Sequence, residues 1–401
     1  MKVYYEAYGC SQNIAETGML AQSMGEIVSN PSEADIILIG TCVVIEHTEH
    51  RMLRRIEELK KFGNVVVYGC LPSARSELIS KDVTTIRTWE FDRAHEILGL
   101  GCSPMNEIYM MDSVVTIPIA NGCLGSCTYC LTRLARGRVR SRNEKWIISM
   151  VREAVARGAK EIRLSAQDTA AYGRDADVTL PELLNKISEI EGEFRVRVGM
   201  MEPREALRIL DSLISAYTHE KIYKFLHLPV QSGDDEILKR MNRGYTVDDF
   251  IEIVNEFRKV HPNILISTDV IVGFPGESDE SVNNTVDMLK KIRPEILNIT
   301  RFSPRPKTPA YKWKRPSTND VKRWSKWIGE IHSEIIKDIN SKFVGQSLRV
   351  LVPQRGKRGN FVGRTNEYRP VILKNVDVGK FYDVRIVESR PTYLVGELIP
   401  S

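Results

Sequence analysis

Apolar and polar positions alternate in three different ways along the chain, and the three patterns predict three structural units. In residues 1–112, short apolar runs at 3–8, 34–40, 65–68 and 84–88 have the length of buried strands. Between two of these runs, residues 46–61 place Met52, Ile56 and Leu59 on one side of a helix. Strands that alternate with helices predict an open parallel α/β sheet.

The second unit, residues 113–341, repeats the alternation of strand and helix. Strands are predicted at 114–120, 161–165, 195–200, 224–229, 265–272 and 296–302, and helices at 144–156, 181–190, 247–259 and 280–292. Six consecutive units of this kind predict a partial (β/α)6 barrel. Its chemistry is expected in the loops that follow the strands.

The third unit, residues 342–401, contains only short alternating runs, at 348–352, 361–364, 371–373, 382–387 and 393–398, separated by glycines. This pattern predicts a small five-stranded all-β barrel of oligonucleotide-binding style. The expected fold class is therefore α/β: an open parallel domain, a central partial barrel and a C-terminal β-barrel.

The composition is that of a folded globular protein: of the 401 residues, 42% are hydrophobic and 27% are charged. Apolar runs stay well below the roughly 18 residues of a membrane span, and no basic leader precedes the first strand. We therefore expect no membrane insertion, no export and a cytoplasmic location. In a reducing compartment, the seven cysteines are expected to be ligands or buried thiols. Cys102 matches no motif and is predicted to be structural.

Positive charge is concentrated toward the C-terminus. Residues 343–401 hold ten basic against five acidic side chains, and residues 301–326 hold nine basic residues against one, interleaved with Tyr311, Trp313 and Trp324. Basic runs with aromatic residues suit phosphate neutralisation and base stacking, although a solvated basic face is the alternative. The candidate RNA contacts are Arg305, Lys307, Arg355, Lys357 and Arg358.

The strongest chemical signal is the loop that contains Cys123, Cys127 and Cys130, directly after the first barrel strand. Thiolates at spacings of four and three can occupy three corners of a [4Fe-4S] cube and leave the fourth iron open. A structural zinc site normally needs a fourth protein ligand, and no further cysteine or histidine lies near this loop.

A second group of cysteines follows the predicted strands of the first unit: Cys10, Cys42 and Cys70. The carboxyl ends of parallel strands share one edge of a sheet, so these three side chains are expected to converge. Taken singly, each would more often be a buried apolar thiol.

The loop Cys123-x3-Cys127-x2-Cys130, with Tyr129 before its last cysteine, resembles that of radical S-adenosylmethionine enzymes. Over the whole chain the resemblance is to the methylthiotransferases. It is carried by residues 8–13, 41–44, 68–72, 165–169, 227–233, 243–246, 269–277 and 302–311, and by a tail similar to a TRAM domain, an RNA-binding module. The family usually has Gly where Lys307 stands, and Asn is common before the second cysteine, where this chain has Thr41.

The resemblance implies two [4Fe-4S] clusters that face one cavity, with S-adenosylmethionine as the source of a 5′-deoxyadenosyl radical. Cys123, Cys127 and Cys130 would ligate the radical-generating cluster, and Cys10, Cys42 and Cys70 the auxiliary cluster. The candidate cofactor contacts are Tyr129, Gln167, Asp168, Gln231, Ser232 and Arg243; Gln167 and Asp168 could alternatively cap a turn, and Arg243 could lie on a helix surface.

The motifs at 9–13, 41–45 and 166–169 look most like the archaeal and eukaryotic branch. That branch converts N6-threonylcarbamoyladenosine at position 37 of tRNA into its 2-methylthio derivative. The implied partners are the tRNA anticodon loop, an electron donor protein and a sulfur donor. Three alternatives stay open: methylthiolation of isopentenyladenosine in tRNA, methylthiolation of a ribosomal protein aspartate, and a zinc and RNA-binding protein without enzymatic activity.

Overall fold

A computed structural model describes residues 1–44, 46–101, 106–356 and 359–399 of the chain. Three residues with predicted roles, Cys102, Lys357 and Arg358, lie outside these ranges. Within them, no helix is long and apolar enough to cross a membrane.

The N-terminal unit is a parallel sheet in the order β2-β1-β3-β4-β5. Its strands are β1 (Lys2–Ala7), β2 (Glu26–Ile27), β3 (Ile36–Thr41), β4 (Val65–Gly69) and β5 (Thr84–Arg87), and its helices are α1 (Ser11–Met24), α2 (Glu46–Leu59), α3 (Cys70–Ala74) and α4 (Ala94–Ile97). The strand order reverses direction between β1 and β3, and in doubly wound sheets ligands bind at such a switch point. The loops after β1, β3 and β4 meet there.

Helix α1 was not predicted from the sequence. Its buried residues include the polar side chains Gln12, Asn13, Glu16 and Thr17, so the sequence shows no clean apolar stripe in this segment. Gln12, Asn13 and Glu16 are hydrogen-bonded across the boundary to the central unit, and the Thr17 hydroxyl donates to the Asn13 carbonyl within the helix, which explains how these groups can be buried.

The central unit contains the six predicted barrel strands. They are β7 (Val114–Pro118), β10 (Glu161–Ser165), β11 (Arg195–Val198), β12 (Phe225–His227), β13 (Leu265–Val272) and β14 (Ile296–Arg301), accompanied by the short strands β6 (Met110–Met111), β8 (Ala120–Asn121) and β9 (Arg140–Ser141). They form one sheet in the order β11-β10-β7-β6 and another in the order β12-β13-β14, and a bridge between Val196 and Ile222 joins the two. All six barrel strands run parallel, as a partial barrel requires.

Helices surround these strands and bury their apolar faces against them. They are α5 (Thr132–Arg136), α6 (Glu144–Ala156), α7 (Leu180–Ser188), α8 (Pro203–Arg208), α9 (Leu210–Ala216), α10 (Asp235–Met241), α11 (Val247–Val260), α12 (Asp279–Ile292) and α13 (Thr318–Ser341). Helix α13 begins within the basic segment of residues 301–326, and the sequence analysis did not predict this helix. It packs Trp324 and Ile328 into the same core as β13 and α12.

The C-terminal unit is a closed barrel in the order β15-β16-β17-β19-β18. Its strands are β15 (Ser347–Arg355), β16 (Phe361–Arg364), β17 (Pro370–Leu373), β18 (Lys380–Ser389) and β19 (Leu394–Leu398). The five predicted strands are therefore present, and closure removes the exposed edges that a small sheet would otherwise have.

The C-terminal barrel packs against the amino ends of the central strands. Tyr368, between β16 and β17, places its ring 4.8 Å from that of Tyr223 and 5.0 Å from that of Phe225. Its hydroxyl donates to Glu161 at the start of β10, at 3.1 Å. The opposite, carboxyl ends of the central strands face the N-terminal unit.

Candidate active site between two cysteine groups

A cavity of about 500 Å³ lies between the N-terminal unit and the carboxyl ends of the central strands. Cys10, Cys42 and Cys70, here called the N-terminal cysteine group, line one side of it. Tyr129 and Cys130, from the cysteine loop (residues 123–130), line it as well. The two groups of thiols thus reach a common chamber, which we call the central cavity.

Backbone conformation lets the N-terminal cysteine group converge. Cys10 follows β1 and caps α1, while Cys70 is the first residue of α3 after β4. Gly9 has φ +102°, and a Cβ at this position would lie 2.8 Å from the Cβ of Cys42. Gly69 has φ +108° and is equally crowded, since a Cβ would lie 2.6 Å from Oδ1 of Asn13. Only glycine fits these two approaches.

A buried arginine supplies positive charge behind this group. Nη1 of Arg136 donates to both carboxylate oxygens of Glu16, at 2.9 and 2.8 Å, and Nη2 donates to Asn13 at 3.3 Å. Burial raises the pKa of Cys70 to about 12, and the nearby Arg136 charge opposes that rise. Burial also raises the pKa of Cys42. These thiols become good ligands when cationic metal compensates the charge of the thiolates.

The cysteine loop is held by hydrogen bonds that end on sulfur. The Gly125 N–H donates to Cys123 Sγ at 3.2 Å, and the Thr132 N–H donates to Cys130 Sγ at 3.3 Å. Nη1 of Arg243 donates to Cys127 Sγ at 3.2 Å. Donors to sulfur are the contacts that stabilise cluster thiolates and tune their potential.

The thiol donors of both cysteine groups have the chemistry that iron-sulfur clusters require. Across the described ranges, no three His, Cys, Asp or Glu side chains come close enough to hold one ion. In a cluster each thiolate binds a different iron, so the sulfurs stand further apart than they do around one zinc ion. The all-thiol donor sets and the N–H donors to sulfur agree with this chemistry.

Comparison with known proteins decides the family. A "Probable threonylcarbamoyladenosine tRNA methylthiotransferase" from Pyrococcus horikoshii is 42% identical over 100% of both chains. A "Threonylcarbamoyladenosine tRNA methylthiotransferase" from Drosophila pseudoobscura pseudoobscura is 32% identical over 99% of this chain and 77% of its own. This chain belongs to the tRNA methylthiotransferase family. Residues 117–289 of the methylthiotransferase match the Radical SAM superfamily, residues 2–89 match Uncharacterized protein family UPF0004, and residues 341–399 match the TRAM domain.

Solved structures agree on the fold of this methylthiotransferase. The radical S-adenosylmethionine methyltransferase TsrM from Kitasatospora setae, solved with cobalamin and a [4Fe-4S] cluster, matches with a TM-score of 0.57. The match covers 77% of each chain at 14% identity, which shows a shared fold alone. The α/β fold class with a radical S-adenosylmethionine barrel and a C-terminal β-barrel is therefore confirmed.

Only some of the predicted cofactor contacts of the methylthiotransferase reach the central cavity. Tyr129 and Gln167 line it, and Gln167 bridges two units because it accepts from Gly122 N at 2.6 Å and donates to Gln12 at 2.7 Å. Asp168 is buried and accepts from the N–H groups of Ala170 and Glu202, so it caps a turn. Burial raises its pKa to about 7.

The other predicted cofactor contacts, Gln231, Ser232 and Arg243, do not line the cavity, and of the three it is Arg243 that contacts the cysteine loop. Gln231 has φ +72°, and its backbone pairs with that of β13. Ser232 is buried and accepts from Asp234 N at 3.3 Å. Arg243 is buried next to Cys127, so it is not a helix-surface residue, and its Nε donates to the Tyr245 hydroxyl at 3.0 Å.

Two of the predicted RNA contacts are placed differently from what the charge pattern suggested. Arg305 is 2% exposed and forms an ion pair with Glu49 of α2, so it is no surface phosphate contact in this conformation. Nζ of Lys307 donates to the Ala74 carbonyl at 2.9 Å and to Glu77 at 3.1 Å. Both residues therefore connect the central unit to the N-terminal unit, whereas Arg355 is exposed at the end of β15.

Lys307 adopts φ +69°, the left-handed conformation that glycine takes easily. The turn therefore has the backbone conformation that a glycine would take, and the lysine side chain adds the contact to α3.

Sequence reasoning missed the polar residues inside the barrel. His227 Nε2 lies 3.1 Å from Oδ2 of Asp269, and Asn298 donates to Oδ1 of the same carboxylate at 2.6 Å. Burial disfavours the charge on Asp269, but the hydrogen bonds from His227 and Asn298 lower its pKa overall. The available signal was the alternation along β11 to β14, which places every second residue in the lumen.

Proposed function

We propose that this methylthiotransferase converts N6-threonylcarbamoyladenosine at position 37 of tRNA into its 2-methylthio derivative. The full-length similarity to proteins named as threonylcarbamoyladenosine tRNA methylthiotransferases supports the substrate. The observation that carries the proposal is the central cavity, because residues of both cysteine groups line it. The reaction would take place in the cytoplasm, where tRNA is modified.

The two cysteine groups would each hold one [4Fe-4S] cluster through three thiolates. Bound there, the clusters and S-adenosylmethionine supply a carbon radical for C–H activation and the sulfur that is inserted. Arg136 and Glu16 form the polar wall behind the N-terminal cysteine group, and the N–H groups of Gly125 and Thr132 orient the thiols of the cysteine loop.

The cofactor contacts would come from residues around the cysteine loop. We assign the carboxylate and ribose of S-adenosylmethionine to the surroundings of Gln231, Ser232 and Arg243, since an arginine fork matches a carboxylate. Tyr129 forms an apolar wall, with its ring 6.1 Å from that of Phe274. Gln167 fixes the cysteine loop relative to α1, and Asp168 holds the turn behind it.

The target adenine must leave its stack to reach the cavity, as base-modifying enzymes require. An anticodon loop is single-stranded, which makes this displacement inexpensive. The basic C-terminal unit would hold the stem, and an electron donor protein and a sulfur donor complete the set of partners.

Nucleoside mass spectrometry tests the proposed function. The enzyme is reconstituted anaerobically and incubated with tRNA that carries N6-threonylcarbamoyladenosine or, separately, isopentenyladenosine. We expect a 2-methylthio product from the first tRNA. Product from the second tRNA alone, or from a ribosomal protein aspartate alone, would assign the enzyme to another branch of the family.

The RNA-binding role of the C-terminal unit needs a test that leaves this barrel in place. Replacing Arg355, Lys357 and Arg358 by alanine should weaken tRNA binding and lower the slope of log affinity against log salt by about 2 to 3. The matched control replaces Lys2, Lys61 and Lys81, exposed residues of the N-terminal unit outside both basic segments, which removes the same charge elsewhere on the surface. Equal effects of the two triple variants would indicate a general charge effect and no specific site.

A further inference from the structure

The lumen of the central barrel is polar below the central cavity. Arg163 of β10, Arg197 of β11, His227 of β12, Asp269 of β13 and Asn298 of β14 follow one another around it. A lumen of this kind suits a polar ligand group better than a hydrocarbon group, because buried polar side chains need hydrogen-bond partners.

Among these five lumen residues of the described structure, Arg197 is the one that lacks hydrogen-bond partners. It lines the central cavity, and within the described residues its three nitrogens make neither a hydrogen bond nor an ion pair. Its guanidinium carbon lies 4.8 Å from the ring centre of Phe225 and 5.3 Å from that of Tyr368. Aromatic contacts of this kind fix the guanidinium plane but leave its N–H edge without an acceptor.

The nearest carboxylates are already engaged. Glu161 pairs with Arg163 at 2.6 Å and accepts from the hydroxyls of Tyr223 and Tyr368 at 3.2 and 3.1 Å. Asp269 accepts from His227 and Asn298. Neither carboxylate forms a hydrogen bond or an ion pair with Arg197, so Glu161 attracts this cation only from a distance while its own hydrogen bonds go to other donors.

The other described arginines on the cavity wall differ in this respect. Arg136 pairs with Glu16, and Nη2 of Arg305 pairs with Glu49, although Nε and Nη1 of Arg305 are buried without a hydrogen-bond partner among the described residues. Arg301 is exposed and donates to the Ser325 hydroxyl at 3.2 and 3.1 Å. Of these four arginines, Arg197 is thus the one that forms neither a hydrogen bond nor an ion pair within the described residues, and a buried cation without a partner is costly unless a ligand supplies the anion.

We propose that Arg197 is a specificity-determining residue that binds a ligand carboxylate, and that this carboxylate is the one on the threonylcarbamoyl group of the substrate nucleoside. The assignment rests on the proposed function. A threonylcarbamoyl group carries a carboxylate and a dimethylallyl group carries none, so a free guanidinium in the lumen favours the first. Tyr368 and Phe225 are positioning residues, since they act through Arg197.

A binding assay tests the proposal without turnover. Two anticodon stem-loop RNAs are compared on the reconstituted enzyme by fluorescence anisotropy: one carries N6-threonylcarbamoyladenosine, and the other carries the same nucleoside with its carboxylate converted to the methylamide. The wild type should prefer the free carboxylate by about ten- to a hundred-fold, the range of a charge-assisted hydrogen bond. Arg197→Met should bring this preference close to one.

Two further variants keep the test interpretable. Arg195→Met, on the same strand but off the central cavity, removes the same charge and should retain the wild-type preference. Arg197→Lys keeps the charge but loses the planar fork, so an intermediate preference is expected, and this variant replaces Arg197→Met if the latter does not fold. Preference retained in both Arg197 variants, or lost equally in Arg195→Met, overturns the proposal.

S-adenosylmethionine also carries a carboxylate, and a separate titration distinguishes the two sources. Arg197→Met should bind S-adenosylmethionine within about two-fold of the wild type. If this affinity falls ten-fold or more while the RNA preference is unchanged, Arg197 serves the cofactor and the substrate assignment is wrong. Nucleoside analysis of the wild-type reaction tests the proposed function independently, because the RNA preference is measured whether or not product forms.

Discussion

The two cysteine groups are built in opposite ways. The cysteine loop collects Cys123, Cys127 and Cys130 within eight residues, and backbone N–H groups in or directly after the loop donate to two of the three sulfurs. The N-terminal cysteine group is assembled from the ends of β1, β3 and β4, which are distant in sequence. The first group depends on local geometry, and the second depends on the whole sheet.

This difference predicts different sensitivities. A local loop tolerates changes in the surrounding fold as long as its own turns persist. A group assembled by topology is lost when the strands shift, when a crowded glycine is replaced, or when the buried charge behind it is removed. Arg136 connects the two, since it lies on α5, directly after the cysteine loop, and donates to Glu16 of α1.

Removing the thiols of one group at a time should give the largest difference in behaviour between the two cysteine groups. In a variant with Cys10, Cys42 and Cys70 replaced by alanine, iron should fall from about eight to about four per chain, as expected for three thiolates per cluster. Cleavage of S-adenosylmethionine to 5′-deoxyadenosine should persist, while methylthio transfer stops.

The matching variant of Cys123, Cys127 and Cys130 should also keep about four irons but abolish that cleavage. Iron analysis and product chromatography measure both variants. Unchanged iron in either of them would contradict the assignment of two clusters.

Arg136→Met should have the next largest effect. It leaves the Glu16 carboxylate buried without its partner, so we expect a loss of about 3–5 kcal/mol in the free energy of unfolding. Thermal and urea unfolding measure it. Arg133→Met on the same helix is the control, because Arg133 is exposed and should change stability by less than about 0.5 kcal/mol. Similar losses in the two variants would show that the ion pair is unimportant.

The surroundings of the cysteine loop should depend on pH through Glu277. Burial raises its pKa to about 7, although the N–H groups of Gly273 and Phe274 donate to its carboxylate and oppose that rise. A raised carboxyl pKa stabilises the fold fully at low pH, and this contribution is lost as pH rises from about 4.5 through 7.

The free energy of unfolding of Glu277→Gln, relative to the wild type, should therefore shift by up to roughly 3 kcal/mol across that range. Urea unfolding at several pH values checks this. Parallel pH profiles for the two proteins would rule out the shift.

Replacing one glycine at each cysteine group by alanine should give the smallest effects, and these should still differ between the two groups. Gly69→Ala forces a side chain into φ +108° and within 2.8 Å of the Thr41 carbonyl, which should cost about 1–2 kcal/mol and reduce the iron bound by the N-terminal cysteine group. Gly125→Ala in the cysteine loop meets its nearest neighbour, Cys123 Sγ, only at 3.4 Å and should be nearly neutral. Iron content and melting temperature report both, and a reversed order would contradict the contrast between local and topological assembly.

Most of the fold could be predicted because apolar periodicity reports burial on one face. The strands β7, β10 and β13 lie where the pattern placed them, and β10 (Glu161–Ser165) matches its predicted bounds. Helix α1 escaped prediction because its buried side includes Gln12, Asn13 and Glu16, whose partners lie in another unit. Periodicity alone cannot show that a polar face is buried.

The candidate site could be predicted in part for the same reason. The convergence of Cys10, Cys42 and Cys70 follows from parallel strand order, which a sequence pattern indicates. The burial of Arg305 could not be foreseen from a basic run, since its partner Glu49 is more than 250 residues away in the chain. Nor could the free guanidinium of Arg197, because the absence of an acceptor is known only when all neighbours are placed.

Through Tyr368, the C-terminal barrel forms part of the packing of the central barrel. Its ring fills the amino end of the central barrel and its hydroxyl meets Glu161, so removing this barrel uncovers the lumen to water from below. A chimera that exchanges C-terminal units between relatives therefore has to carry a compatible pair at these two positions, and we expect a truncated enzyme to lose activity through the exposed lumen.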